Sequence, residues 1–253
     1  MPEAADVADG LRYARCMPTA VLIGANRGLG LGFARYLLQA GYELHATVRD
    51  PENCSDLRAL AEQPAPSGGG QGSLNIYALE VACADSRRNF VDQLGLGQID
   101  LLIHNAGIYG PSRVTMGSMD EDTWKQVLWV DTVAPLMCVQ ELLPKIRAAS
   151  NAKIALLTSR VGSIADNQSG AGYFYRSAKA GLNAAGRSLA LDLAPEGISV
   201  LLLHPGWVKT DMGGDNAPLE IPESIDGMME QIDLLSVENS GRFVDWSGTE
   251  LPW

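Results

Sequence analysis

The sequence predicts an α/β fold in which a parallel, doubly wound β-sheet is flanked by helices on both faces. Three observations predict it. Apolar runs of strand length alternate with longer stretches of helical period. Several of these runs are apolar almost without a break, as parallel strands covered on both faces must be. The first run also ends in a glycine turn that opens directly into a helical stretch. Strand–helix–strand repetition at this spacing implies crossover helices on both sides of one sheet.

The elements follow in order. Residues 19–24 (TAVLIG) read as the first strand and 29–40 as the first helix. A second strand at 43–48 (ELHATV) leads to a helix near 52–62. The segment 64–73 (PAPSGGGQGS) is low in complexity but too short for a domain linker, so it reads as a surface loop. The third strand follows at 74–81, a helix near 84–94, the fourth strand at 99–104 and a long helical stretch over 119–149. The fifth strand at 153–158, a helix near 173–194 and the sixth strand at 198–204 continue the alternation. It then breaks, leaving a helix near 222–235 and a short strand near 241–245. No internal repeat is visible, and a single domain over 18–253 fits best. Residues 1–17 carry Glu3, Asp6 and Asp9 without a continuous apolar stretch, so a loose extension is expected there rather than a secretory signal.

Composition narrows the function. The 253 residues are 46% hydrophobic, ample for a core, and carry a net charge of −11. So acidic a surface repels nucleic-acid phosphates and anionic lipid, so neither is expected as a partner. No continuous apolar run approaches the roughly 18 residues that span a bilayer. Cys16, Cys54, Cys83 and Cys138 show neither CxxC spacing nor disulfide density, and His45, His104 and His204 are scattered, so no metal site is expected. A cytoplasmic protein acting on a small molecule is the expectation.

The glycine turn reads Gly24-Ala25-Asn26-Arg27-Gly28-Leu29-Gly30. Glycines there permit a tight turn and let backbone N–H groups approach a pyrophosphate, whose charge a helix N-terminus favours. Three glycines in a loop say little alone; after a buried first strand they indicate a Rossmann-type dinucleotide site.

The spacing G-x-x-x-G-x-G resembles the phosphate turn of the short-chain dehydrogenase/reductase family. The resemblance continues in family order through Asn105-Ala106-Gly107, Ser159, Tyr175-x-x-x-Lys179 and Pro205-Gly206, covering about residues 19–212. Within the family, the segments Ser159-Arg160-Val161-Gly162-Ser163-Ile164 and His204-Pro205-Gly206-Trp207-Val208-Lys209-Thr210-Asp211-Met212 resemble the Sniffer-type carbonyl reductase and C-factor branch. The tail from Ser240-Gly241-Arg242-Phe243 to Leu251-Pro252-Trp253 matches the same branch. The resemblance implies an oxidoreductase of one doubly wound domain that reduces an aldehyde or ketone with NADP(H), and a homodimer built on the long helices.

NAD enzymes place an acidic residue at the end of the second strand, on the ribose hydroxyls. Here that place falls at Val48, followed by Arg49, with Arg27 in the phosphate turn. Two guanidiniums favour a 2′-phosphate through charge-assisted hydrogen bonds, hence NADP(H). A solvated Arg49 with Asp50-Pro51 capping the next helix is the plainer alternative, and Asp50 keeps NAD open. Family positions for the cofactor fall on Gly24, Asn26, Arg27, Gly28, Leu29, Gly30, Arg49, Glu80, Val81, Asn105, Ala106, Gly107, Tyr175, Lys179, Pro205, Gly206, Val208 and Thr210. Glu80 replaces the usual Asp as acceptor for the adenine amino group, and Ile23 replaces a common threonine.

Tyr175 and Lys179, four apart on a helix, project from one face. A free phenol titrates near ~10, and a neighbouring ammonium lowers that value. Ser159, ending the fifth strand at the ligand-binding edge of the sheet, is suited to hydrogen-bond the substrate oxygen. Ser163 is its rival, lying nearer to Tyr175 in sequence. No G-x-S-x-G elbow supports a hydrolase. Tyr109, Tyr173, Trp207 and Met212 are candidates for an apolar substrate wall or for ordinary packing. The loop 211–235, with Met212, Met228 and Met229, is a candidate lid over an apolar pocket, its methionines otherwise core filler. The fourth-helix asparagine that many family members use is replaced by Asp131, which joins Ser159, Tyr175 and Lys179 as a non-standard catalytic candidate. The rivals are an NAD-dependent alcohol dehydrogenase and a C-factor-like signalling protein that binds nucleotide with little turnover.

Overall fold

The computed structural model describes residues 17–62, 72–111 and 114–253. The extension expected over 1–17 lies outside them except for Met17, as does most of the loop expected over 64–73.

Among the described residues seven strands form one sheet in the order β3-β2-β1-β4-β5-β6-β7, and every neighbouring pair is parallel. The strands are β1 (Thr19–Ile23), β2 (Glu43–Val48), β3 (Ser73–Ala78), β4 (Leu101–His104), β5 (Lys153–Leu157), β6 (Ser199–His204) and β7 (Phe243–Asp245). Alternate residues along each strand feed two separate cores. On one face Ala20, Leu22, Ile103, Ala155 and Leu203 pack under α1 (Gly28–Gln39), α2 (Ser55–Ala61) and α7 (Ile221–Asp233). On the other, Val21, Ile23, Leu102, Leu156 and Leu202 pack under α3 (Ala84–Gln93), α5 (Ala134–Ile146) and α6 (Tyr173–Leu193). Strands β1, β2, β4, β5 and β6 therefore have almost no water-facing side, which is why most of them read as unbroken apolar runs, whereas the edge strand β3 exposes Ser73, Asn75 and Ala78. Met228 and Met229 belong to the first core and are buried, so they are packing and not a lid.

The differences from the expected boundaries have physical causes. β3 stops at Ala78 because its partner β2 ends at Val48: the Leu79 N–H makes the last bond, to the Val48 carbonyl (2.8 Å), and Leu79 and Val81 join the core under α3. Ile99 is buried, but its N–H goes to the Lys145 carbonyl and not to a strand, so β4 starts at Leu101. The second helix starts with a 3₁₀ turn, Pro51–Asn53, capped by Asp50.

The stretch expected as one helix over 119–149 is three pieces. The helix α4 (Glu121–Leu128), capped by Asp120, runs into a π-helical turn, Trp129–Val133, where the Ala134 N–H bonds back to the Trp129 carbonyl. α5 then continues to Ile146. By length and composition Glu121–Ile146 is long and apolar enough to cross a membrane. In the fold, Val127, Val130, Ala134, Cys138, Val139, Leu142 and Ile146 from it are buried against the rest of the chain.

The chain leaves β1 towards β2 and β3, then returns to pair β4 on the other side of β1. Two loops therefore diverge at the carboxyl ends of β1 and β4, the crevice where doubly wound folds bind ligands.

Candidate active site

A cavity of about 700 Å³ occupies that crevice. Its floor is the glycine turn. Gly24 has φ +88°, and a side chain there would come within 2.9 Å of the Ala106 backbone. A Cβ on Gly30 would lie 2.0 Å from the Gly24 carbonyl oxygen, so only glycine lets α1 start against the end of β1. The Gly24 N–H donates to Thr47 Oγ1 (3.2 Å), and the Asn105 side chain donates to the Gly24 carbonyl (2.7 Å). α1 starts at Gly28 with no side-chain cap and no acidic residue in its first turn, so its leading N–H groups are left for an anion.

At one end of the cavity lie Arg49 and Asp50 behind β2 and Glu80, Val81 and Ala82 behind β3. Arg49 is exposed and forms no ion pair with a described residue. Asp50 is occupied as a cap, accepting from the Glu52 N–H (3.0 Å) and from the Asn53 side chain. Arg27 lines the cavity and also pairs with Asp211 at 2.5 Å, both side chains being exposed. That ion pair joins the β1–α1 turn to the segment after β6 across the cavity mouth.

At the other end stand Tyr175 and Lys179. Lys179 is buried; its Nζ lies 3.0 Å from Asp131 Oδ2, donates to the Leu157 carbonyl (3.1 Å) and sits 5.5 Å from the centre of the Tyr175 ring. Asp131, wholly buried in the π-helical turn, accepts the Ile108 N–H on Oδ1 (2.8 Å). Gly107 leaves room for it, since a Cβ there would lie 3.1 Å from Asp131 Oδ2. Burial works against the Lys179 ammonium, but Asp131 and Tyr175 outweigh it and hold its pKa above the ordinary lysine value. Burial raises Tyr175 first; Lys179 lowers it, Asp131 raises it, the Ser159 hydroxyl lowers it and Tyr109 raises it. The net direction is upward, so in the protein alone Lys179 does not overcome burial. His104, buried near Lys179, is pushed down to about 3, first by burial and then by that ammonium, and is therefore neutral.

The two candidate serines are separated by their partners. Ser159 is only partly buried, lies beside Tyr175 and caps the turn Arg160–Gly162. Ser163 is buried, donating to the Trp253 carbonyl (3.3 Å) and accepting the Asp166 N–H (3.0 Å).

Gly24, Asn26, Arg27, Gly28, Leu29, Arg49, Glu80, Val81, Asn105, Ala106, Gly107, Tyr175, Lys179, Pro205 and Thr210 all line the cavity. Asp131 lies behind its wall, Gly30 beneath its floor and Ser159 at its edge; Gly206 abuts Leu219 and Trp246, and Val208 is buried and bridges to Leu219. Tyr109 packs on Tyr175 with ring centres 4.8 Å apart and the rings tilted by 36°. Trp207 is exposed and ties its indole N–H to the Gly213 carbonyl, whereas Tyr173 packs with Trp124 and Phe174 in a small satellite core. Sequence reasoning missed Trp129, Asn53 and Asp211 in the cavity wall. Nothing local in the sequence marks them.

A family model described as short chain dehydrogenase matches residues 18–220. The C-signal protein of Myxococcus xanthus is 44% identical over 166 residues, 66% of this chain and 99% of that protein. The structure of the carbonyl reductase Sniffer of D. melanogaster superposes with a TM-score of 0.85 at 33% identity, over 94% of this chain and all of that one (100%). The NADPH-bound carbonyl reductase from chicken fatty liver gives 0.84 at 33% identity, over 94% and 99% of the two chains.

Proposed function

Because the chain belongs to the short-chain dehydrogenase family of oxidoreductases, we propose that it is an NADPH-dependent carbonyl reductase acting on a small aldehyde or ketone. One observation carries the reading: the Tyr175–Lys179 pair faces the same 700 Å³ cavity as the uncapped glycine turn and Arg49. The NADPH bound by a similar carbonyl reductase supports the choice of cofactor. The residues fit it. The free N–H groups of α1 suit a pyrophosphate and Arg49 suits a 2′-phosphate, while Asp50, also in the cavity wall, accepts hydrogen bonds as a cap.

NADPH when bound supplies the hydride. Tyr175 gives its phenolic proton to the carbonyl oxygen as negative charge develops there, and the Ser159 hydroxyl hydrogen-bonds the same oxygen. Lys179, fixed by Asp131 and the Leu157 carbonyl, keeps a positive field beside the phenol and favours its loss of a proton. The chain in this reading is a single catalytic domain over 18–253. It acts as a cytoplasmic homodimer, which sedimentation of the purified protein checks.

The decisive experiment is NADPH oxidation across a carbonyl library, with NADH in parallel. Turnover with a strong NADPH preference is expected. Tight nucleotide binding without turnover across the library would instead favour a signalling role like that suggested by the name of the C-signal relative.

Two substitutions refine the reading. Arg27 already has a carboxylate partner in Asp211 whereas Arg49 pairs with no described residue, so Arg49 is the guanidinium to test first for discrimination between cofactors. Arg49→Asp should weaken NADPH by about 1.5–3 kcal/mol per charged hydrogen bond lost, with little effect on NADH, as read by fluorescence titration. Equal losses for both cofactors would remove the phosphate from Arg49. Ser159→Ala should lower kcat severely and Ser163→Ala only mildly, because Ser163 spends both its hydrogen bonds inside the protein. The reverse order would assign the substrate contact to Ser163.

A further inference from the structure

The tail motif shared with the carbonyl-reductase branch has no part in the chemistry above, and none of residues 240–253 lines the cavity. Its path through the fold nevertheless leads to the catalytic loop. β7 pairs with β6 at the sheet edge. The Asp245 carboxylate then accepts the N–H groups of Ser247 (2.9 Å) and Thr249 (3.1 Å) and turns the chain. Glu250 bridges antiparallel to Val244, and the Leu251 N–H donates to the Phe243 carbonyl (2.9 Å), so the chain folds back along its own strand. This hairpin delivers Trp253, whose ring packs on Phe243 at 5.7 Å between centres. The Trp253 main-chain oxygen accepts two hydrogen bonds, from the Ala165 N–H (2.9 Å) and from Ser163 Oγ (3.3 Å).

Those donors sit in the loop that starts at Ser159. Between Ser159 and those donors, Gly162 lies directly on α6, where a Cβ would come within 2.8 Å of the Lys179 backbone. The loop is thus pressed between the helix that carries Tyr175 and Lys179 and the end of the folded-back tail. On the helix side its further tie is Arg176 Nη1 to the Val161 carbonyl (3.3 Å), and the Ser159 hydroxyl holds the turn by one long bond from the Val161 N–H (3.4 Å).

We propose that Trp253 is a positioning residue, and that the folded-back tail acts as a strap holding the Ser159 hydroxyl at working distance from Tyr175. Trp253 touches neither the cavity nor the reacting atoms; it acts through Ser163 and Ala165. This rests on the carbonyl-reductase reading for its kinetic consequence, but not for its structural one.

The test uses the full chain with Trp253→Ala, Trp253→Phe and Ser163→Ala, NADPH, and a carbonyl that the unaltered protein reduces. A misplacement of about 1 Å in a catalytic group slows chemistry by as much as ~100-fold, so Trp253→Ala should lower kcat about tenfold or more. NADPH affinity should stay unchanged, the primary isotope effect with deuterated NADPH should rise as hydride transfer becomes limiting, and Trp253→Phe should restore most of the rate. Independently of turnover, amide exchange at Val161 and Gly162 should quicken in Trp253→Ala and, more weakly, in Ser163→Ala. Unchanged exchange at those amides overturns the strap whatever the rates do. So does a loss of kcat matched by an equal loss of NADPH affinity, which marks general damage. If the unaltered protein reduces no carbonyl, the reductase reading falls while the exchange experiment still decides the strap.

Discussion

Tyr175→Phe is expected to lower carbonyl reduction about 10²–10⁴-fold while leaving NADPH binding almost intact, the range spanned by a positioned proton donor. The substitution removes one oxygen and keeps the ring, so the packing with Tyr109 and the cation beneath the ring both survive. The loss should therefore fall on kcat, the pattern of an interaction made only in the transition state. Nucleotide titration and steady-state rates on the same preparation check it. A variant with an unchanged kcat would transfer the proton donation to another group and remove the basis of the proposed mechanism.

Asp131→Asn should move the alkaline limb of carbonyl reduction and the onset of alcohol oxidation to lower pH. The sign follows from the charges facing the pair. Tyr175 is raised first by burial, and Asp131 adds to that upward pressure. Removing the negative charge takes away that addition, so the phenolate forms at lower pH. His104 is neutral throughout the working range and does not compensate. Two unit charges about 8 Å apart at an effective dielectric near 20 interact by roughly 2 kcal/mol, and 1.36 kcal/mol is one pKa unit, so a shift of about 1.5 units is expected. Asparagine keeps the shape but has a single acceptor oxygen, so it can retain the bond from the Ile108 N–H while its NH2 group takes the place of Oδ2 beside Lys179, and the charge is removed. Profiles of kcat/KM in both directions, with melting curves to confirm a folded variant, test it. Superimposable profiles would mean that the Asp131 charge does not act on Tyr175.

The parallel strands were legible because burial on both faces leaves an almost unbroken apolar run, as in TAVLI and KIALL. The glycine turn was legible because Gly24 and Gly30 answer steric demands that no other residue meets. The π-helical turn was not. It needs one residue more per turn over a short stretch, and WVDTV carries no break in apolar period to announce it. Yet that turn is what places Asp131 against Lys179, so the residue was visible while the reason for its aim was hidden. The Arg27–Asp211 pair was equally out of reach, because 184 residues separate the partners and an exposed arginine looks the same with or without one. Spacing alone favours neither Ser159 nor Ser163 decisively; the resemblance to the carbonyl-reductase branch favours Ser159, and the structure adds that Ser159 lies beside Tyr175 while Ser163 is tied to Trp253 and Asp166.

The position of β1 between β2 and β4 has a consequence for how the molecule assembles. Ala20 pairs with Leu101, so the chain must close a loop of some eighty residues before the central strand has both neighbours. Loop closure on that scale is entropically costly before the contacts reward it, and parallel sheets of this kind fold slowly with apolar strands transiently bare. The crevice itself is the seam between the two halves, and it does not exist until β4 docks. A nucleotide that recognises the crevice binds only the finished sheet, and at a hundred times its dissociation constant would add about 2.7 kcal/mol to stability. Refolding yield and resistance to proteolysis should therefore rise with nucleotide concentration, making the ligand a late participant in completing the fold.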